Sequence, residues 1–462
     1  MTTEIRNDAQ DREAIAITIY NDDLALIREQ RRLTLHSGVN RIALRDVSAR
    51  IKPETTTLRS SGDATLQLLE QNFDYDLLNA TSLLNHYVGK RVTVCRTHPA
   101  SGAESREEAT VLANNGGAIL QYADRIETGL PAGARLAFAD VPAALRDSPT
   151  LTVDLHSSAA GARSVELAYL SKGFTWQADY VLNLARDEKT LNLAGWVTLD
   201  NQSGSSYADA NLQLVAGDVA QLMDDDDDFS PIGELCYAAA APSMQEEALF
   251  EYHLYTLPRP TTLKNKQQKQ VALLSAASVP VNKEYRLKNA CFPYLLRHPS
   301  QPENGEKRDI EVYIEFHNDE ASQLGVPLPK GVIRVYQDDS AGRPQFIGED
   351  RIDHTAKNET IRLKLGNAFD VSGVWKLLES KQLASGRKDD KRQHYEIQCS
   401  IALSNAKSEA VTVKVVEPIP GDWHILEESH PHEKVAACLA QWHIAVPAEG
   451  STELRYKARL TI

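Results

Sequence analysis

The chain has 462 residues, of which 42% are hydrophobic and 25% are charged. This balance is typical of a globular protein, and the length suits about three domains of roughly 150 residues each. There are 50 Lys and Arg residues against 64 Asp and Glu residues, which gives a formal net charge of −14. Such an acidic chain lacks the cationic surface that non-specific binding to nucleic acids or anionic membranes requires.

The cysteines and the N-terminal residues bear on whether the chain has disulfides, a signal peptide or a membrane span. An odd, sparse set of cysteines without a C-x-x-C pair does not predict a disulfide framework. Cys399 lies on the apolar face of "YEIQCSIAL", so we expect a buried thiol there. The N-terminus lacks the basic and apolar regions of a signal peptide, and no run of 18 apolar residues predicts a membrane span. The five cysteines are Cys95, Cys236, Cys291, Cys399 and Cys438.

Apolar and polar residues alternate with period two along the chain, from "AIAITIY" near the start to "ELRYKARLTI" at the end. Strands with one apolar and one polar face are typical of antiparallel sheets, so we predict a mainly β protein made of several β-sandwiches. Short strands and the turn "NNGG" between Arg91 and Val141 predict a small inserted SH3-like barrel. Two short helices are predicted, one in "NATSLLNHYVG" with Thr81 or Ser82 as N-cap and one at Val374–Gly386.

Composition suggests four segments and one long loop. We predict an N-terminal β segment at 1–75, the small barrel at 76–145, a β-sandwich at 146–300 and a C-terminal β-sandwich at 301–462. The run Asp224–Asp228 lies in a predicted mobile acidic loop at 218–262, because consecutive like charges repel and stay hydrated. A weak calcium site is the alternative, although calcium loops space their ligands alternately.

The stretch "GEDRIDHT", Gly348 to Thr355, holds the densest set of potential catalytic side chains. On a strand, Glu349, Arg351 and Asp353 share one face while His354 points to the other, so Asp353 and His354 cannot form a relay. We therefore interpret the stretch as a charge ladder that ends near His354. If the chain is an enzyme, Glu349, Asp353 and His354 are its candidate catalytic residues.

Histidines are concentrated in the last fifty residues, where "ESHPHEKVAAC" contains His430 and His432 and His424 precedes them. Two histidines at alternate positions of a strand point to one side, as in some metal sites. However, Pro431 separates them and the second histidine of H-E-x-x-H is missing, so a surface loop is the preferred interpretation. His424, His430 and His432 are the candidate metal ligands, and we expect neither a metal nor another cofactor.

Signatures of the common enzyme and nucleotide-binding classes are missing from the sequence. There is no G-x-S-x-G nucleophile elbow and no glycine-rich phosphate loop after a strand. Basic residues do not interleave with aromatic residues as an RNA-binding face requires, so no nucleic-acid partner is expected.

Five longer segments of the chain carry a family resemblance. They are "VELAYLSKGFTWQADYVLNL" (Val165–Leu184), "AGWVTLDNQSGSSYADANLQLVAGDV" (Ala194–Val219), "EYHLYTLPRPTTLKNKQQKQVALL" (Glu251–Leu274), "LGVPLPKGVIRVYQDDSAGRPQFIGEDRIDHTAKNETIRLKLGNAFDV" (Leu324–Val371) and "NAKSEAVTVKVVEPIPGDWHI" (Asn405–Ile425). They resemble the bacterial domain-of-unknown-function family 4139, which is related to the mucoidy-inhibitor A proteins. The resemblance implies an all-β chain of several sandwiches, frequently exported to the periplasm, with no agreed reaction or cofactor. It supplies no catalytic residues. The missing leader leaves the cytoplasm as the other possible location.

These observations favour a non-enzymatic binding or scaffold module that engages a protein or polysaccharide partner of the cell envelope. The alternative is a hydrolase or metal-assisted enzyme acting on envelope polymers, with Glu349, Asp353, His354 and His424 gathered from distant strands. A cytoplasmic assembly protein is a third hypothesis. A cleft with two carboxylates or three metal ligands would favour an enzyme, and a sheet with exposed aromatic residues would favour binding. Neither the partner nor the oligomeric state follows from the sequence.

Overall fold

A computed structural model of the chain describes residues 4–60, 66–98, 101–130, 133–217, 244–288, 305–383 and 392–462. The acidic run Asp224–Asp228 lies outside the described residues, and so do Cys236 and Cys291. The fold is mainly β, as predicted. Two compact units are present: the first contains the described residues of 1–176, 198–228 and 245–270, and the second those of 177–197, 229–244 and 271–462. The four segments predicted from the sequence stay a prediction.

The secondary structure consists almost entirely of strands. The strands up to Ser171 are β1 Ile5–Asn7, β2 Arg12–Ile19, β3 Ala25–Leu35, β4 Gly38–Arg45, β5 Thr57–Ser60, β6 Leu66–Asp74, β7 Arg91–Thr97, β8 Glu104–Ala113, β9 Ile119–Gln121, β10 Ile126–Thr128, β11 Ala134–Ala137, β12 Thr150–Ser157 and β13 Gly161–Ser171. The strands after it are β14 Phe174–Leu184, β15 Thr190–Asn201, β16 Tyr207–Ala216, β17 Gln245–Leu249, β18 Tyr252–Thr256, β19 Thr261–Leu263, β20 Gln267–Pro280, β21 Asn282–Lys288, β22 Glu306–His317, β23 Gly331–Asp338, β24 Pro344–Ile352, β25 Thr360–Leu383, β26 His394–Asn405, β27 Val411–Pro418, β28 Asp422–Glu428, β29 His432–Ala436, β30 Leu439–Val446 and β31 Gly450–Thr461. Helix α1 spans Ala80–His86, and short 3-10 helices span Ala9–Asp11 and Pro53–Thr55.

The first unit contains three sheets. One has the order β1-β4-β12-β6, and the largest has the order β17-β18-β16-β2-β3-β13-β5 with β19 beside β16. In β3 every second residue from Ala25 to Leu35 is buried, which is the expected burial of an amphipathic strand. The predicted loop at 218–262 is wrong for its later part, because β17 and β18 form a hairpin that pairs with β16. Burial of Leu254 and Tyr255 on β18 explains why this segment is ordered.

The third sheet of the first unit has the open order β10-β9-β8-β7-β11. Its core includes Val94, Val111 and Leu120, and residues of helix α1 pack against it. Helix α1 is where the sequence predicts it, although Asn79 is the N-cap, accepting hydrogen bonds from the amides of Thr81 and Ser82. No closed barrel is found in the described part of the chain, so the SH3-like insert is not confirmed.

The second unit is dominated by a sheet with the order β28-β31-β26-β25-β22-β21-β27-β30-β29. This sheet curls so that β30 also packs against β26 and β31, and its two halves enclose one core that contains Trp375, Trp423, Trp442 and Cys399. The buried thiol of Cys399 is confirmed. The helix predicted at Val374–Gly386 is wrong as far as Leu383, because β25 pairs there with β26; the last three residues lie outside the described residues.

Another sheet, ordered β20-β15-β14-β23-β24, carries the family segment "PLPKGVIRVY". Strands β14 and β23 are parallel, and Gly331 begins β23 where a Cβ atom would collide with the carbonyl oxygen of Ala178. Only glycine allows this close approach. The hydroxyl of Tyr180 donates a hydrogen bond of 2.8 Å to the carbonyl of Pro329 and fixes the corner before β23.

In the described part of the chain, no helix is both long and apolar enough to span a membrane. Among the described cysteines, Cys95 and Cys399 are buried, Cys438 is exposed, and all three are free thiols. The expectation that the sparse cysteines form no disulfide framework stays a prediction, because it includes Cys236 and Cys291.

Candidate binding site

The first predicted catalytic residue, Glu349, belongs to a charge ladder across three strands. Arg334 on β23 lies opposite Glu349, and its Nε is 3.4 Å from the Glu349 carboxylate. Arg334 also donates a hydrogen bond of 3.1 Å to Asp179 on β14. The ladder was predicted, but its guanidinium comes from Arg334 on the neighbouring strand and not from Arg351. Glu349 therefore has a structural partner.

Asp353 and His354 follow Ile352, the last residue of β24, so the strand ends close to the predicted position. Nδ1 of His354 accepts a hydrogen bond of 3.2 Å from the amide of Lys330, and the carbonyl of Asp353 accepts one of 2.9 Å from the hydroxyl of Thr355. These contacts close the corner after the strand. The imidazole is thus used to bind backbone at one ring nitrogen.

The three histidines proposed as metal ligands do not gather around one point. His424 on β28 is exposed and lies 4.0 Å from Asp422. Nδ1 of His430 is 3.0 Å from the hydroxyl of Ser429, while His432 contacts other residues. Among the described residues, no group of three or more His, Cys, Asp and Glu side chains is placed to hold a metal ion.

His432 is held in an aromatic corner of the second unit. Its Nδ1 lies 2.9 Å from Oε2 of Glu428, which also accepts a hydrogen bond of 3.0 Å from the indole of Trp442. The His432 ring stands 5.8 Å from Trp423 and 6.0 Å from Trp442, and Lys434 lies over Trp423. A carboxylate that binds Nδ1 orients an imidazole as catalytic bases require. Here the same carboxylate also accepts a hydrogen bond from the indole of the buried Trp442, whereas the indole of Trp423 donates to the carbonyl of Ala437, so Glu428 has a structural role.

A buried ionic cluster in the first unit is the strongest polar feature that the sequence reading missed. Oε2 of Glu29 accepts hydrogen bonds of 2.6 Å from Arg31 and 3.2 Å from Arg12, and Oε1 accepts one of 3.1 Å from Tyr169. Burial and the Glu29 charge raise the pKa of Tyr169 well above its ordinary value. Burial opposes the charge of Arg31, but the Glu29 carboxylate outweighs it and the pKa of Arg31 is raised. A carboxylate engaged on both oxygens and closed to solvent has a structural role.

One exposed aromatic side chain is presented in an unusual way, by a bulge in the strand pair β22 and β25. Asp309 pairs with Ser372 and Glu311 pairs with Asn367, so Ile310 alone faces the four residues 368–371 of β25. We call 368–371 the β25 bulge. Within it Val371 is buried and Phe369 is 99% exposed. Bulges redirect side chains out of the normal alternation of a strand, which explains why Phe369 projects into solvent.

The β25 bulge is fixed to the sheet on its other side. Val371 pairs with Asn405 on β26, and the carbonyl of Asp370 accepts a hydrogen bond of 2.8 Å from the amide of Ala406. Asn405 in turn donates a hydrogen bond of 2.8 Å to the carbonyl of Glu409 in the following loop and one of 3.0 Å to the carbonyl of Pro447 after β30. Phe369 therefore stands on a backbone that hydrogen bonds and a buried neighbour hold in place.

Several acidic side chains lie on the strand pair that carries Phe369. Asp370 is exposed beside it, and Asp309 accepts a hydrogen bond of 3.1 Å from the side-chain amide of Asn367. Glu311 forms an ion pair with Lys364. Burial acts to raise the pKa of Glu311, but hydrogen bonds from Lys364 and Tyr313 outweigh it and lower that pKa. Two exposed carboxylates, Asp309 and Asp370, thus lie in or beside the β25 bulge, whereas the charge of Glu311 is balanced by Lys364.

The sequence reading missed Phe369, and its pattern explains why. Phe369 has the same phase as Leu363, Val371 and Trp375, which are all buried, so alternation predicts that it is buried as well. Gly366, with a φ of +140°, is the one local sign of an irregular strand.

Comparison with known families gives one result. A family model described as a domain of unknown function (DUF4139) matches residues 165–462, a range that includes the β25 bulge, Glu349 and all three histidines. No curated protein matches the chain. The match does not address the relation to the mucoidy-inhibitor A proteins, which stays a prediction.

Proposed function

This chain belongs to the DUF4139 family, and from that premise we propose that it is a non-enzymatic binding module that engages a protein partner through Phe369. The observation that supports the proposal most directly is the 99% exposure of this ring on the β25 bulge. Aromatic anchors that enter pockets of a partner supply most of the binding free energy in many protein interfaces.

Placement of Phe369 on a fixed backbone favours binding. An exposed ring adds little to folding stability, whereas burying a Phe side chain in a partner contributes about 2–3 kcal/mol. The hydrogen bond from Ala406 to Asp370 and the burial of Val371 hold the backbone beside the ring before a partner arrives. Such preorganisation reduces the entropy lost on association.

The shape and charge of this surface favour a protein over a polysaccharide. A single projecting ring fits an apolar pocket, and the exposed Asp370 beside it is complementary to a basic pocket rim. We therefore propose a protein partner with an apolar pocket flanked by Lys or Arg side chains. Its place in the cell envelope rests on the family resemblance and stays a prediction.

The alternative of a hydrolase or metal-assisted enzyme has less support from the geometry. Glu349 forms an ion pair with Arg334, His354 accepts a backbone hydrogen bond, and His432 binds Glu428 between two tryptophan rings. These side chains are engaged in holding strands and corners together. Each of these three contacts is made with a residue outside the predicted set, whereas convergent catalysis requires contacts within it.

The experiment compares partner capture by the wild-type chain and Phe369→Ala, each cross-linked in the native host and read by quantitative mass spectrometry. We expect the captured amount of one co-purifying protein to be roughly 30-fold lower with Phe369→Ala, because an aromatic anchor contributes about 2 kcal/mol or more. Leu378→Ala is the matched control, since Leu378 lies on the same strand and is 43% exposed. It should leave capture unchanged.

Both variants should melt within about 2 °C of the wild type, because neither removes a buried side chain. Equal capture of every protein by wild type and Phe369→Ala would contradict the proposal. Recovery of a glycan that depends on Phe369, without any protein, would replace the protein partner by a polysaccharide.

A further inference from the structure

A second aromatic side chain projects from the first unit, at the tip of the hairpin formed by β17 and β18. Leu249 pairs with Tyr252, so Phe250 and Glu251 alone form the connection. Phe250 is 87% exposed, and Leu249 beside it is 47% exposed. The centroid of the Phe250 ring lies 6.2 Å from that of Tyr252.

The backbone at this tip is unfavourable for phenylalanine. Phe250 has a φ of +57°, in the left-handed region. Two-residue hairpin turns require positive φ at the first central position, and Gly, Asn and Asp are the residues that adopt it with little strain. A bulky side chain with positive φ is a genuine outlier. Phe250 therefore fits neither the turn nor a core, and folding alone does not explain its presence.

Carboxylates surround the tip. Glu246 is paired with His253 at 2.8 Å, while Glu247 and Glu251 are exposed. Strand β17 is the last strand of its sheet, so this acidic and aromatic tip stands at the sheet edge. An aromatic tip with acidic flanks is poorly suited to anionic lipid surfaces, and the net charge of −14 adds to that repulsion.

We infer that the hairpin tip is a second docking element, which inserts Phe250 and Leu249 into an apolar pocket of a protein partner with a basic rim. Strained residues with exposed apolar side chains cluster at functional sites, where binding compensates for the strain. Glu247 and Glu251 supply the charges that pair with the rim. This inference is independent of Phe369, because it concerns a different unit and different variants.

The experiment uses full-length wild type, Phe250→Gly, the control Lys266→Gly and the double variant Glu247→Gln/Glu251→Gln. Lys266 is an exposed residue of the same unit with a φ of +56°, so the control relieves the same kind of strain without removing a ring. Each chain is immobilised and incubated with host extract, and bound proteins are quantified by mass spectrometry. Melting temperatures and binding to phosphatidylcholine vesicles are measured in parallel.

We expect Phe250→Gly to melt at the wild-type temperature or above it, because glycine suits the turn. The amount of one captured protein should nevertheless fall about tenfold or more. Lys266→Gly should keep that protein, and the double variant should capture it at least about threefold less. Unchanged capture by Phe250→Gly overturns the inference. A lower melting temperature with unchanged capture assigns the ring a structural role. Vesicle binding that depends on Phe250 replaces the protein partner by a lipid surface.

Discussion

Glu29 shows how a charged side chain becomes part of a β core. It occupies an inward position of β3, where every second residue from Ala25 to Leu35 is buried, and Arg31 occupies the next inward position. A carboxylate in such a place is tolerated only if its oxygens are hydrogen-bonded and its charge is compensated. Arg12, Arg31 and Tyr169 supply both requirements.

Replacing Glu29 by Gln should therefore destabilise the protein strongly. The amide has nearly the shape of the carboxylate but leaves two buried guanidinium groups without a contacting negative charge, so we expect a loss of about 3 kcal/mol or more in the free energy of unfolding. Urea denaturation measures it. Glu108→Gln is the control, because Glu108 is exposed and its pair with Arg91 is long at 3.5 Å. A loss at Glu29 below about 1 kcal/mol would show that the cluster is dispensable.

A single glycine illustrates a limit of pattern reading at individual positions. The sequence "AGW" predicts that the Trp196 ring lies against bare backbone in a core. The structure places the ring of Tyr180 there, 3.3 Å from where a Cβ of Gly195 would be, and Trp196 is only partly buried. The glycine correctly predicts that a ring lies close to the backbone, but the local sequence does not identify which distant ring it is.

Three strands end in the same polar device. A buried asparagine at the end of β15, after β22 and at the end of β26 donates from Nδ2 to two backbone carbonyls and accepts a backbone amide at Oδ1. The three residues are Asn201, Asn318 and Asn405. Asparagine can make such bonds in both senses at once, so it satisfies a loop backbone that leaves the sheet.

Removing the device at Asn405 should destabilise the second unit and loosen the β25 bulge. Asn405→Ala leaves two carbonyls and one amide without partners, so we expect a loss of about 2–3 kcal/mol in urea denaturation. We also expect faster hydrogen exchange at the amide of Ala406, which donates to Asp370 in the bulge. Asn211→Ala, at an exposed position of β16, is the control and should change stability by less than about 0.5 kcal/mol. Unchanged hydrogen exchange at Ala406 would show that the hydrogen bonds of Asn405 do not hold the β25 bulge in place.

Strand β25 shows which parts of the fold follow from local sequence. Its first residues alternate between buried and exposed positions, whereas "WKLLESKQL" has residues of high helix propensity and lies in the helix predicted at Val374–Gly386. Pairing with β26 through to Leu383 overrides that propensity, because strand preference is set largely by neighbours. The bulge that exposes Phe369 depends in the same way on its partner strand β22, so period-two reading cannot locate it.

The alternation of apolar and polar residues correctly predicts the class of the fold, because such patterns determine local strand structure. It does not predict the candidate binding sites, which depend on register in two sheets that long-range pairing creates. The net negative charge of the chain, in contrast, acts at a distance and does not depend on strand register. It sets the electrostatic field that any partner meets first.

Salt should weaken partner association mainly through the association rate. The chain carries a net charge of −14, and exposed carboxylates flank both projecting rings, so a basic partner is attracted before contact. Raising the ionic strength from about 0.05 M to about 0.5 M shortens the screening length severalfold, and we expect the association rate to fall about tenfold with little change in dissociation. Phe369→Ala should instead raise the dissociation rate, because its contact forms only in the complex. Surface plasmon resonance with the captured partner measures both rates, and Asp370→Asn should reduce the salt dependence. An association rate independent of salt would show that charge does not guide this encounter.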